Sequence, residues 1–200
     1  MKEEKMREKQ DVLINNSDAA SIPVIIPANE PDDRLIALLE DFRDRGIRDV
    51  IIVNDGSGDK YEPIFDEVEK RLPALGGTLL RHEVNRGKGR ALKTAFAYVL
   101  DHYPDAPGVV TADSDGQHSV DCIRSVMDQL RKTPGSLVLG VRSFDGEDVP
   151  WKSAFGNKLT MKVLGYVSGV SVSDTQTGLR GIPRAFMREL LDVPGERFEY

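Results

Sequence analysis

The chain carries one cysteine, Cys122, in 200 residues, which excludes a disulfide within it and fits a reducing, cytoplasmic compartment. Long apolar runs are absent as well. The longest candidates, residues 22–27 and 163–170, fall far short of the roughly 18 to 20 residues that span a bilayer, and suit strands or core helix. The opening MKEEKMREKQ lacks the apolar stretch of a signal peptide, so export is not expected. Basic residues do not dominate: 27 Lys and Arg stand against 33 Asp and Glu, a formal charge of -6. That balance argues against a general nucleic-acid binder, whose affinity comes from clustered cations. Aromatics make up only 6%, yet the hydrophobic share of 40% is ordinary for a globular protein and sufficient for a core.

Residues 1–18 are polar and aperiodic and read as a mobile arm, leaving residues 19–200 for one α/β domain. From residue 22 short β-branched runs alternate with helical periodicity, the pattern of a mostly parallel, doubly wound sheet flanked by helices. Strands are predicted at 22–27, 49–54, 78–83, 108–112 and 136–141. Helices are predicted after the first strand, with Leu35, Leu38, Leu39 and Phe42 on one face and Gly46 as the stop, and then at 61–72, around Leu92 to Val99, at 119–132, near 153–167 and after Pro183. In such sheets a ligand lies beyond the carboxyl ends of the strands, which selects the loops to read.

Five loops there are rich in polar residues. Asp113-Ser114-Asp115, with Gln117 close behind, groups oxygen donors suited to a hard cation such as Mg2+ or Mn2+; an Asp/Gly turn with Asp113 capping the next helix is the plain alternative. Asn54-Asp55-Gly56-Ser57-Gly58 offers an acceptor to a base or ribose, or is an ordinary turn. Asn85-Arg86-Gly87-Lys88-Gly89-Arg90 opens a helix with free amides, two glycines and three cations, a phosphate site or a solvated basic loop; it lacks Walker A spacing. Arg142 and Lys152 add cations on the same rim. Asp174-Thr175-Gln176-Thr177-Gly178-Leu179-Arg180 is a polar stretch that reads equally as a turn or hairpin.

In order and spacing, IPVIIPANEPDDRL, IIVNDGSGD, NRGKGRALKTAF, VVTADSDGQH, LVLGVR and SDTQTGLRGIP resemble a family 2 glycosyltransferase of GT-A fold. The nearest branch is that of dolichyl-phosphate and polyprenyl-phosphate sugar synthases, and the likeness runs from Ile22 to Tyr200. The family often has Pro-x-Tyr-Asn-Glu where this chain has Pro27-Ala28-Asn29-Glu30, and an Asp where Asn54 stands. The resemblance implies an inverting, metal-dependent transfer of sugar from a UDP- or GDP-sugar to a polyprenyl phosphate or glycan acceptor, in cell-envelope glycan or glycolipid synthesis.

By the same resemblance Pro27, Ala28, Glu30, Asp55, Lys88, Asp113 and Ser114 bind the donor, with Asp55 at the base and Lys88 at the diphosphate. Asp115 and Gln117 hold the divalent cation, Mg2+ or Mn2+, and Asp113 positions ribose, sugar or metal. Arg142, Lys152 and Gln176 face the acceptor, and Asp174 is the first candidate base for a hydroxyl acceptor. Residues 195–200 resemble a segment that precedes further helices in the family. That leaves a catalytic domain lacking a C-terminal extension, or attachment through a membrane partner, at the inner face of the membrane. Two other classes stay open: a nucleotide-binding module without turnover, and a sugar-phosphate nucleotidyltransferase, although the latter's Gly-rich loop after the first strand is missing.

Overall fold

A computed structural model of the chain describes residues 20–140 and 178–195. The N-terminal arm, the helix expected at 153–167, and Arg142, Lys152, Asp174 and Gln176 lie outside the described residues. Among the described residues six strands form one sheet: β1 (Val24–Ala28), β2 (Val50–Asp55), β3 (Thr78–His82), β4 (Gly108–Thr111), β5 (Val138–Leu139) and β6 (Arg180–Pro183). Their spatial order is β3-β2-β1-β4-β6-β5. The first four are mutually parallel, and β6 runs antiparallel to both β4 and β5.

The apolar runs of β1, β2 and β4 follow from burial on both faces, since each pleat sends alternate side chains to opposite sides. Val24, Ile26, Val50, Ile52 and Val110 join one core with α1 (Asp33–Asp44), α2 (Glu62–Arg71) and α4 (Val120–Lys132). Ile25, Ile51, Val53 and Val109 join the other with α3 (Lys88–His102) and α5 (Arg184–Asp192). α1 starts at Asp32, whose carboxylate accepts from the Arg34 amide, and buries Leu35, Leu38, Leu39 and Phe42 as its periodicity predicts. The far end of α3 is closed by Arg184, whose guanidinium donates to the carbonyls of Leu100 and Tyr103 at 2.9 and 2.8 Å.

Three expectations change. Of the strand predicted over 136–141, the described residues pair only at Val138–Leu139, on the sheet edge. Of the polar stretch 174–180, for which a turn or hairpin was the plain alternative, the described residues 178–180 lead into β6, inserted between β4 and β5. Finally, Asp113 does not cap the next helix: Ser119 does, its hydroxyl accepting from the Cys122 amide.

Candidate active site

β1 and β4 part company at Pro27. They pair only at Val24↔Val110 and Ile25↔Thr111, while β2 stays in register with β1 to Ala28↔Asn54. The Val24 amide donates toward β2, to Asp49. Alternation therefore points residue 27 toward β4, where a proline has no N–H to give and the ladder has already ended. The divergence falls where the strand order reverses, the place where open α/β sheets form their crevice.

A cavity of about 370 Å³ occupies it, lined by Pro27, Ala28, Asn29, Asp55, Asn85, Gly87, Lys88, Asp113, Ser114 and Asp115. Three polar loops separated in sequence thus meet at one point. α3 begins here, with Gly87 as its N-cap and Lys88 as its first residue. The amides of a helix's first turn have no partner within the helix, and together with Lys88 they favour an anion.

On the acidic side, Asp113 accepts from Lys88 Nζ at 2.5 Å and stands 3.5 Å from Nε2 of the buried His118. His118 first, and Lys88 after it, hold the Asp113 carboxyl well below the usual carboxylate range, against the opposing effect of its partial burial. Gly178 presses on the same carboxylate: a Cβ at that position would lie 2.0 Å from Asp113 Oδ2. The Gly178 carbonyl is itself held by Thr111 Oγ1 at 2.8 Å, which fastens the start of β6 beside the acids. Asp115 accepts from the Gln117 backbone amide at 3.1 Å and from its side-chain nitrogen at 2.7 Å. Rotation of that carboxamide would present its oxygen on the same side.

Asp55 is almost fully enclosed. Its carboxylate accepts from the amides of Arg86 and Gly87, at 3.0 and 2.8 Å, and lies 2.7 Å from His82 Nδ1. Glu30, grouped with the donor pocket on sequence grounds, is not brought into the cavity lining. Its carboxylate accepts from the Tyr61 hydroxyl at 2.8 Å, and its amide donates to Ser57 Oγ. Asn29 takes the place on the wall, bound through its side chain to the Asp55 carbonyl.

Asn29 and Asn85 belong to stretches that the sequence already singles out, Pro27 to Glu30 and Asn85 to Arg90, whereas His82 was passed over. For His82 a signal existed: it ends β3 as Asp55 ends β2, and the register sets the two opposite each other.

Asp113, Asp115 and Gln117 are oxygen donors, the set preferred by Mg2+ and Mn2+. Among the described residues no cluster of three His, Cys, Asp or Glu side chains could hold an ion alone. Those three side chains could contribute oxygens to a cation only if phosphate oxygens and water supplied its remaining ligands, as is common for magnesium.

Residues 24–191 match the model of the family described as glycosyl transferase family 2. An uncharacterized protein of Methanocaldococcus jannaschii is 27% identical over 195 residues, covering 96% of this chain and 76% of the relative. A UDP-N-acetylglucosamine–dolichyl-phosphate N-acetylglucosaminyltransferase of Methanococcus voltae is 26% identical, covering 89% of this chain and 76% of its own. The dolichyl-phosphate beta-glucosyltransferase of Dictyostelium discoideum is also 26% identical, and the match spans 58% of it. Among solved structures, a mannosyltransferase from Pyrobaculum calidifontis in complex with GDP-Man and Mn2+ superposes with a TM-score of 0.57 at 20% identity, over 86% of this chain and 47% of that one. This likeness supports the GT-A fold.

Proposed function

This chain belongs to glycosyl transferase family 2, and from that premise we propose that it moves a sugar from a UDP- or GDP-sugar to a polyprenyl phosphate, with inversion at the anomeric carbon and with Mg2+ or Mn2+ at the donor diphosphate. One observation carries the reading: the acids of Asp113-Ser114-Asp115 and the Lys88 end of α3 share a single cavity and touch through the Lys88–Asp113 pair. Acids alone would repel a diphosphate, and a helix N-terminus with a lysine would bind one without needing a metal. Together they suit a cation and a diphosphate at once.

In this reading Asp115 and Gln117 hold the cation and Asp113 positions ribose, sugar or ion. Lys88 meets the diphosphate, and Pro27, Ala28 and Ser114 wall the nucleotide. The cation would act as a Lewis acid toward the leaving diphosphate. Arg142, Lys152 and Gln176 are proposed for the acceptor. A lipid phosphate brings an oxygen that is already anionic near neutral pH, so its attack needs no strong base; a hydroxyl acceptor would need one, for which Asp174 is proposed. Relatives named for dolichyl phosphate support the lipid-phosphate acceptor. No helix among the described residues is long and apolar enough to cross a membrane, and we place the work peripherally on the inner membrane face, in envelope glycan or glycolipid synthesis.

The test is a panel of UDP- and GDP-sugars assayed against polyprenyl phosphate with and without chelator. Consumption of one donor, abolished by chelation, is expected. Nucleotide binding without turnover across the panel would replace the reading with that of a binding module.

A further inference from the structure

One residue of the cavity lining, Asp55, is held by polar groups that do not themselves line the cavity. His82 and Asp55 end adjacent strands, paired in register, with side chains only 6% and 4% exposed. His82 Nδ1 is 2.7 Å from Asp55 Oδ1, and Nε2 is 2.9 Å from Thr94 Oγ1 on α3. A carboxylate can only accept, so Nδ1 carries the proton toward Asp55, and Nε2 shares a hydrogen bond with the Thr94 hydroxyl. Asp55 in turn receives the backbone amides of Arg86 and Gly87, the two residues before Lys88.

Gly56 brings the two loops into backbone contact. Its φ is +65°, and a Cβ there would stand 2.0 Å from the Val84 carbonyl carbon and 2.2 Å from the Asn85 nitrogen. Three of the roughly four acceptor sites of the Asp55 carboxylate are therefore spent inside the protein. They fix the loop that carries Asn85, Gly87 and Lys88 into the cavity.

We propose that His82 and Thr94 are positioning residues: through Asp55 they brace the loop between β3 and α3, so that its backbone and Lys88 stand ready for the donor diphosphate. The identity of that ligand rests on the reading of the site given above; the bracing of the loop does not. His82 also orients the Asp55 carboxylate, a residue of the cavity lining.

His82→Gln and His82→Asn separate the brace from mere filling of space. Asparagine places its amide nitrogen near the Nδ1 position and can still donate to Asp55. Glutamine reaches toward the Nε2 position and leaves Asp55 Oδ1 without that donor. Amide hydrogen exchange in the ligand-free protein reads the loop, and calorimetric titration with GDP and with UDP in the presence of Mn2+ reads the site.

In His82→Gln the Arg86 and Gly87 amides are expected to exchange at least about tenfold faster while β1 and β2 stay protected, and the affinity for the bound nucleotide to fall about tenfold, as for loss of a hydrogen bond to a charged group. His82→Asn should restore most of both losses. Thr94→Val, which keeps ring and carboxylate, should move both in the same direction by less, and it carries the test if His82→Gln does not fold.

Unchanged protection of Arg86 and Gly87 overturns the brace. So does faster exchange spread evenly over the sheet without rescue by asparagine. Loosened amides with wild-type nucleotide affinity overturn its role at the site. A wild-type protein that binds neither GDP nor UDP refutes the donor reading instead, and the exchange measurement still decides the brace.

Discussion

Gly178→Ala adds a single methyl group, and the structure puts it against the acids of the site. A Cβ at Gly178 would lie 2.0, 2.3 and 2.4 Å from Asp113 Oδ2, Cγ and Oδ1. Ordinary contact begins near 3.4 Å, so either the carboxylate retreats by about 1.4 Å or the start of β6 does. The second route breaks the Thr111–Gly178 hydrogen bond that fastens β6 beside β4. The first pulls Asp113 from Lys88 and His118. Misplacing a reacting constellation by about 1 Å costs on the order of 100-fold, so kcat/KM should fall by at least about 100-fold, or about 2.7 kcal/mol. Overpacking costs roughly 1–3 kcal/mol of stability, a loss of about 2–4 °C in Tm per kcal/mol for a domain of this size. A typical margin of about 5–15 kcal/mol leaves the variant folded at 25 °C. The assay is steady-state transfer with the donor that the panel identifies, across a Mn2+ titration, beside a thermal melt followed by circular dichroism. A folded Gly178→Ala protein with kcat/KM within about threefold of wild type would refute the placement of Gly178 against a working Asp113.

Asp115→Ala should abolish cation-dependent transfer while leaving the melt nearly unchanged, since its partner, Gln117, belongs to the same exposed loop; wild-type turnover would sink the metal assignment. Asp113 predicts a pH effect of definite sign. Its folded carboxyl titrates below the ordinary value of 3.8, so its contribution is complete above about pH 5 and is lost progressively as the pH falls below that. Urea midpoints of wild type and Asp113→Asn should therefore converge between about pH 5 and about pH 2, and a constant gap would contradict the pairing. Arg184→Ala leaves two carbonyls at the end of α3 without their donor. It should lower Tm by about 2–8 °C, as a loss of about 1–2 kcal/mol would, with no change in KM for the donor; an unchanged Tm would remove Arg184 from the helix terminus.

Strands were legible where burial dictated composition. The runs around Ile25, Ile51 and Val109 are apolar at nearly every position because helices cover both faces, and their predicted limits fall within two residues of those found. β6 was not legible. Arg180-Gly181-Ile182-Pro183 is four residues long, has no alternation, and contains the two residues that usually mark turns; it becomes a strand because β4 and β5 offer it edges. The site divides in the same way. Pro27, Ala28, Asp55, Lys88 and Asp113 through Asp115 share one cavity, as strand ends in an α/β sheet lead one to expect. What spacing could not convey is which polar atoms are already taken. Asp55 binds amides 31 and 32 residues further on. Glu30 is turned aside by Tyr61, a partner supplied by the 3-10 turn before α2. Such pairings depend on register and rotamer, and only the assembled chain fixes them.

The antiparallel insertion of β6 has a consequence for synthesis on the ribosome. β1 to β4 are complete in the nascent chain by Thr111, yet the wall behind Asp113 arrives 67 residues later, with Gly178. Until then β4, with its buried Val109 and Val110, lacks its β6 partner along one edge. An unpaired, apolar edge is a template for pairing between chains. Transcripts cut short before codon 178 should consequently yield aggregates rather than inactive but soluble protein, and β6 serves both as the lid on that edge and as the back of the active site.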